Sequence, residues 1–207
     1  MDMSYLLISE NADVLRLREA SFGNKSDMCG DRRCHNIYID LGGTTWDAND
    51  KVPGQGWFVR QYQQRGIDMD RMLLWEAAPV TPPSKVYDQL PKELLHKYQY
   101  FNIPAITDIT QASHPVRMLK QIARPGDFVA LKLDIDHSGA ETSILQALLA
   151  DSEAAALVDE FYFEYHVNFT PMLPWWGASV DKEKGLAEAF KLFYELRQRG
   201  WRAHSWV

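Results

Sequence analysis

The residues of this chain most able to do chemistry fall in two short blocks. One is Lys132-Leu133-Asp134-Ile135-Asp136-His137-Ser138-Gly139-Ala140-Glu141, which sets three carboxylates and an imidazole just after an apolar run. The other is Asp159-Glu160-Phe161-Tyr162-Phe163-Glu164-Tyr165-His166, where Glu164 and His166 close a second apolar run. An imidazole beside carboxylates can act as a general base near neutral pH. The same groups can hold a divalent cation through oxygen ligands, with Asp134, Asp136 and Glu164 as its candidate metal ligands. Asp134, His137 and His166 are the candidate catalytic residues. A salt-linked structural network, with Asp136 or Ser138 as a helix N-cap, accounts for the same residues equally well.

Two further signals lie upstream. Ile37-Tyr38-Ile39-Asp40-Leu41-Gly42-Gly43 is an apolar run that ends in Asp and Gly-Gly. Glycines there permit a tight turn and a close ligand approach, although a plain strand-to-loop corner reads the same way. Glu76 ends the next apolar run, where a carboxylate can accept both hydroxyls of a ribose. The dinucleotide pattern Gly-x-Gly-x-x-Gly is absent.

These groups need elements to position them. Apolar runs at 36–41, 71–75, 98–106, 128–133, 158–165 and 201–207 read as strands. Between them, amphipathic stretches at 56–66, 113–123, 139–150 and 182–199 read as helices. A short helix is expected near 11–20. Residues 79–91 hold four prolines and read as a loop with one helical turn, and 168–180 as an aromatic loop. Strands alternating with helices predict an α/β fold, a Rossmann-like three-layer sandwich on a mainly parallel sheet of six to seven strands. Residues 1–35 are expected to form an N-terminal extension to a single domain over 36–207. In such sheets ligands bind at the carboxyl ends of the strands. Neighbouring fourth and fifth strands would therefore bring Asp134, Asp136, His137, Glu164 and His166 together.

Bulk properties narrow the choice of substrate. The formal net charge is −6, and the basic residues Arg32, Arg33, Arg60 and Arg65 form no block. A basic face for nucleic acid is therefore not expected. No apolar run is long enough for a transmembrane helix, and no signal peptide is evident. Cys29 and Cys34 read as free thiols or a disulfide rather than a zinc site, because no second cysteine pair completes one.

Taken in order, the Asp40-Leu41-Gly42-Gly43 turn, Trp75-Glu76-Ala77, the Lys132-to-Glu141 block and the Asp159-to-His166 block resemble FkbM-type methyltransferases dependent on S-adenosylmethionine (SAM). Gly56-Trp57-Phe58 and Arg202-Ala203-His204-Ser205-Trp206 add a likeness to plant and algal members. The resemblance covers 36–207. It implies the class I SAM methyltransferase fold with a seven-stranded sheet, SAM as methyl donor, and O-methylation of a small molecule or sugar. By position, Asp40, Gly42 and Gly43 would line the amino-acid end of SAM, Glu76 would take the ribose, and Asp108 would lie near the adenine. Asp134 would face the methionine end or the acceptor. The chain departs from the family in three places. Trp46 stands where many relatives have glycine. The Asp136-His137-Ser138-Gly139 stretch replaces a shorter Glu-Gly, and no seventh strand follows the sixth. These departures motivate an alternative, a catalytically degenerate methyltransferase-like module that binds or assembles. A nucleotide-using enzyme of another Rossmann type is a third reading.

Overall fold

Six apolar runs become the six strands of one sheet. In the computed structural model the described residues are 28–47 and 54–206. The strands are β1 (Asn36–Leu41), β2 (Arg71–Trp75), β3 (Tyr98–Phe101), β4 (Phe128–Leu133), β5 (Glu160–Phe163) and β6 (Arg202–Ser205). Their spatial order is β3-β2-β1-β4-β5-β6, and every pairing is parallel. The chain winds outward from β1 to β3, then returns to lay β4 on the other side of β1. That reversal is the switch point of a Rossmann-like sheet, where a crevice opens beyond the strand ends.

The helices are α1 (Gln55–Gln63), the short α2 (Lys85–Asp88), α3 (Pro115–Ile122), α4 (Ser138–Ala150), α5 (Ser152–Leu157), the short α6 (Leu173–Trp176) and α7 (Leu186–Gln198). Period-two alternation sends Ile37, Ile39 and Leu41 to one face of the sheet and Tyr38 and Asp40 to the other. The first face packs with Val129, Leu131, Phe161 and Phe163 against Val116 and Leu119 of α3, Ile144 and Leu148 of α4, Leu157 of α5 and Leu196 of α7. On the second face Tyr38, Met72, Leu74 and Tyr162 pack against Phe58, Val59 and Tyr62 of α1. Each large side chain fully buried in this way contributes about 1.5–3 kcal/mol. Helices on both faces make the three layers expected from the alternating pattern.

Several strands are shorter than their apolar runs. The third stops at Phe101 because the Asn102 side chain donates to the carbonyls of Glu76 and Ala78 and accepts from Val80 N, which turns the chain into a loop. The fifth begins after Val158, whose N–H bonds back to Ala155 O at the end of α5. The sixth begins after Trp201, whose N–H reaches Leu196 O at the end of α7. α7 itself starts at Leu186, behind the Gly185 cap. Because β6 pairs directly with β5, no seventh strand lies between them.

Cys29 and Cys34 form a disulfide. Arg32 inside the disulfide loop and the His35 N–H just beyond it both bond to Asp127, which ties the end of the N-terminal stretch to the turn before β4. The helix expected near 11–20 lies outside the described residues. Among those residues, no helix is long and apolar enough to cross a membrane.

Candidate functional site

The second face of the sheet carries charge where an apolar core would suffice. Asp40 on β1 and Lys132 on β4 are direct partners in the β1–β4 register, and both are buried. Lys132 Nζ lies 3.4 Å from Asp40 Oδ1 and 2.5 Å from Asp134 Oδ2. Tyr38 Oη donates to Asp40 Oδ2 at 2.8 Å, and Trp206 Nε1 donates to Asp134 Oδ2 at 3.1 Å. Burial lifts the Asp40 carboxyl above the usual carboxylate range, and the pull of Lys132 and Tyr38 only partly opposes it. Burial works against the Lys132 charge, but Asp134 and Asp40 outweigh it and hold the proton on firmly.

At the ends of β4 and β5 this chain of contacts continues. Burial also pushes Asp134 up, yet Lys132 and a bond with Glu164 bring it below the ordinary value. Glu164 moves the other way. Burial lifts its carboxyl, and the neighbouring Asp134 adds to that rise against the pull of His166. Of this neighbouring carboxyl pair, Lys132 thus keeps Asp134 ionised, and Glu164 is the member that holds a proton more readily. Trp176 Nε1 donates to Glu164 Oε1 at 2.7 Å.

His166 is fully buried beside this pair. Its Nδ1 meets Glu141 Oε2 at 2.8 Å, and the Glu141 Oε1 accepts from Ile135 N at 3.0 Å. Its Nε2 lies 3.1 Å from Glu164 Oε2 and 3.8 Å from Asp136 Oδ1. The nearer oxygen lies off the direction of the ring N–H and the farther one is too distant, so Nε2 has no hydrogen-bond partner. Burial alone would push His166 down, but Asp136, Glu141 and Glu164 outweigh it and raise it to about 11. At neutral pH the ring is then an imidazolium with no lone pair for a substrate proton. Asp136 holds a left-handed backbone, with φ of 54°. Such a conformation in a residue other than glycine costs about 1–3 kcal/mol and clusters at functional sites.

The expected site residues are therefore only partly united. Asp134, Asp136, Glu164 and His166 converge. His137 does not join them: it is exposed, and its Nδ1 caps α4 by accepting from Ala140 N at 3.2 Å. The cap falls to His137 rather than Asp136 or Ser138 because the turn through Asp136 points the imidazole back over the first turn of the helix.

The polar groups of the Asp40–Gly43 turn are engaged within the protein. Asp40 is buried and engaged by Tyr38 and Lys132, so it supports the site from beneath. Gly42 has φ of 100°, and a Cβ there would sit 1.5 Å from Asp134 O. A Cβ on Gly43 would meet the Asp40 carboxyl at 2.8 Å and Gln55 Nε2 at 3.1 Å. Both N–H groups bond to Trp75 O, at 2.9 and 3.0 Å. Gly42 is thus required by the packing of β1 against the loop after β4, and Gly43 by the close approach of Asp40 and Gln55. Trp46 turns inward, joins the core on the second face and lies against Gly56.

Glu76 is half-buried at the end of β2, where its Oε1 accepts from Ala78 N at 2.6 Å. Asp108 is exposed in the loop before α3 and accepts from Thr110 N and Oγ1. Gln55 lies beside the glycine turn, 2% exposed. Its Oε1 accepts from Tyr98 Oη, and its Nε2 has no partner.

Sequence reasoning gave no catalytic, cofactor or metal role to Gln55, Trp206, or to Lys132 and Glu141 at the two ends of the block it singled out. Two of them carried a readable signal. Lys132 is a charge inside an otherwise apolar strand. Glu141 lies three and four positions before Ile144 and Leu145, on the inward face of its helix. Comparison with protein-family models, curated proteins and solved structures finds no match for this chain.

Proposed function

We propose that the chain is a SAM-dependent methyltransferase acting on a hydroxyl of a small molecule or sugar-type acceptor. One observation carries this reading: the C-terminal edge of the sheet is divided at the switch point. On one side, Glu76 ends β2 beside the Asp40–Gly43 turn. On the other, Asp134 and Glu164 follow the ends of β4 and β5 as a neighbouring carboxyl pair. Group transfer between two small molecules needs a shelf for the donor and a polar site for the acceptor, held at close range.

The donor half fits SAM in two respects. The Glu76 carboxylate would hold the ribose hydroxyls. Gln55 Nε2, a buried donor without a partner, suits the carboxylate at the amino-acid end of the cofactor, since an orphaned buried donor costs about 1–3 kcal/mol. When bound, SAM supplies an electrophilic methyl group. In the acceptor half, Lys132 holds Asp134 ionised, and the Asp134–Glu164 pair would orient the acceptor hydroxyl and take its proton. The FkbM-type resemblance supports the same division and places Asp108 toward the adenine.

A second reading has its own observation. The N–H groups of Gly42 and Gly43 are both spent on Trp75 O, so the turn presents no free donors. That favours a degenerate binding module. Titration calorimetry with SAM and with S-adenosylhomocysteine separates the two readings. Under the methyltransferase reading both ligands bind in the micromolar range, and Glu76→Ala weakens them at least about tenfold, the loss of roughly one charge-assisted hydrogen bond. Folded protein that binds neither ligand would leave the module reading standing alone.

A further inference from the structure

We infer that Asp136, Glu164 and His166 form a binding site for a divalent first-row transition cation. The inference concerns ion binding alone and does not rest on the methyltransferase reading.

Three observations carry it. The first is the donor set. One ligand atom from each residue lies within 4.8 Å of the other two. Two donors at right angles, each about 2.1 Å from one ion, lie about 3.0 Å apart. His166 Nε2 and Glu164 Oε2 already stand at 3.1 Å. Asp136 Oδ1 stands at 3.8 Å from Nε2, and its side chain is 81% exposed and free to swing inward.

The second is the orphaned nitrogen. His166 is fully buried, and its Nε2 points into the cluster without a hydrogen-bond partner. A buried polar atom left in this state is costly, and a cation that replaces the Nε2 proton would remove the cost. Each first ligand also has a supporting contact. Glu141 takes the other ring nitrogen of His166, in the carboxylate–histidine–metal arrangement that fixes tautomer and ring orientation. Trp176 holds Glu164 Oε1, which leaves Oε2 facing His166. Ser179 Oγ donates to Asp136 O and pins the left-handed turn.

The third is charge. Asp40, Asp134, Asp136, Glu141 and Glu164 are linked in one network whose cationic partners, among the described residues, are Lys132 and His166. A divalent ion would offset the excess, with the imidazole giving up its Nε2 proton to become a neutral ligand. An imidazole with two carboxylates suits Mn²⁺ or Zn²⁺ better than Mg²⁺ or Ca²⁺, which prefer an all-oxygen shell. The disulfide leaves neither cysteine as a competing thiolate.

The test is titration of chelator-treated full-length protein with MnCl₂ alone, followed by calorimetry and by the loss of the free Mn²⁺ electron-spin signal, with ZnCl₂ as a second probe. The expected result is one ion per chain. Asp136→Asn is the informative variant, because its side chain is exposed and asparagine tolerates the left-handed backbone. It should weaken Mn²⁺ binding at least about tenfold while circular dichroism stays unchanged. Glu141→Gln, which touches no ion, should weaken it about 10- to 100-fold. Folded wild-type protein that binds neither ion at millimolar concentration would overturn the inference. So would an Asp136→Asn protein whose affinity falls by less than tenfold.

Discussion

Replacing Lys132 by Met tests whether the buried charges at the switch point are held by mutual compensation. Methionine keeps the length and apolar stem of lysine but removes the ammonium that faces Asp40 and Asp134. Asp40 is 2% exposed and the Lys132 side chain 6% exposed, so water cannot take over its role. At an effective dielectric constant of about 20, the attraction across 3.4 Å is about 5 kcal/mol, most of which desolvation takes back. The variant instead reports the cost of leaving carboxylates buried and alone, about 3–5 kcal/mol. Against a total stability of about 5–15 kcal/mol, that loss is large.

The pH dependence gives a second handle. Burial already raises the Asp40 carboxyl, and Lys132 is the strongest opposing influence. Without Lys132 the folded-state value climbs further above the unfolded one. A carboxyl raised on folding takes up a proton, so its contribution is most favourable below the unfolded value and is lost as pH rises through the folded value. The deficit of Lys132→Met relative to wild type should therefore be full near pH 7.5 and shrink toward about pH 5. Adding Asp40→Asn should recover at least about 2 kcal/mol as a coupling energy in the double-mutant cycle. Urea unfolding followed by circular dichroism at both pH values measures each quantity. A loss below about 1 kcal/mol at neutral pH, or a deficit that grows in acid, would refute the compensation argument.

The second charged centre on the same face makes a complementary prediction. Glu160 is buried among Tyr62, Tyr162, Arg202 and His204. Burial pushes its carboxyl up, but His204 and Arg202 outweigh that and hold it at about 2. This carboxyl is depressed on folding, so its stabilisation is present above about pH 4.5 and lost as pH falls toward 2, a total of about 3 kcal/mol. Glu160→Gln should lower stability at neutral pH and flatten the acid limb of the stability curve. An unchanged acid limb in urea titrations would count against it. For the glycines, Gly42→Ala should cost about 4 kcal/mol or more, because its Cβ would overlap the Asp134 carbonyl at a φ of 100°. Gly66→Ala, at a φ of 74° with open space around it, should cost only about 1–2 kcal/mol. Equal shifts in their thermal midpoints would show that steric overlap at Gly42 is not what matters.

The strand and helix pattern was legible in the residues because burial imposes it. Asn36–Leu41, Arg71–Trp75 and Phe128–Leu133 are mainly apolar runs whose bounds match the strands residue for residue. A strand covered on both faces favours such a composition, and the charges Asp40 and Lys132 within these runs are buried against each other. Their alternation with helices then left few arrangements besides a parallel sheet, so the placement of Asp134 and Glu164 on adjoining strand ends could be anticipated. Strand ends were less legible: the bonds of Asn102 are tertiary contacts with no local signature, and the N–H groups of Val158 and Trp201 are drawn back to the helices just before them. The same holds for direction within the site. Spacing put Asp134, Asp136 and His137 side by side, but the left-handed turn at Asp136 sends His137 out to cap α4 and leaves Asp136 facing His166. Gly42 and Gly43 are fitted to the Asp134 carbonyl and the Asp40 carboxyl, contacts that their spacing in the sequence does not reveal. Periodicity can say which face a residue lies on. Which partner meets it there depends on groups brought in from distant parts of the chain, and in this protein those groups determine the charge and hydrogen bonding of the site.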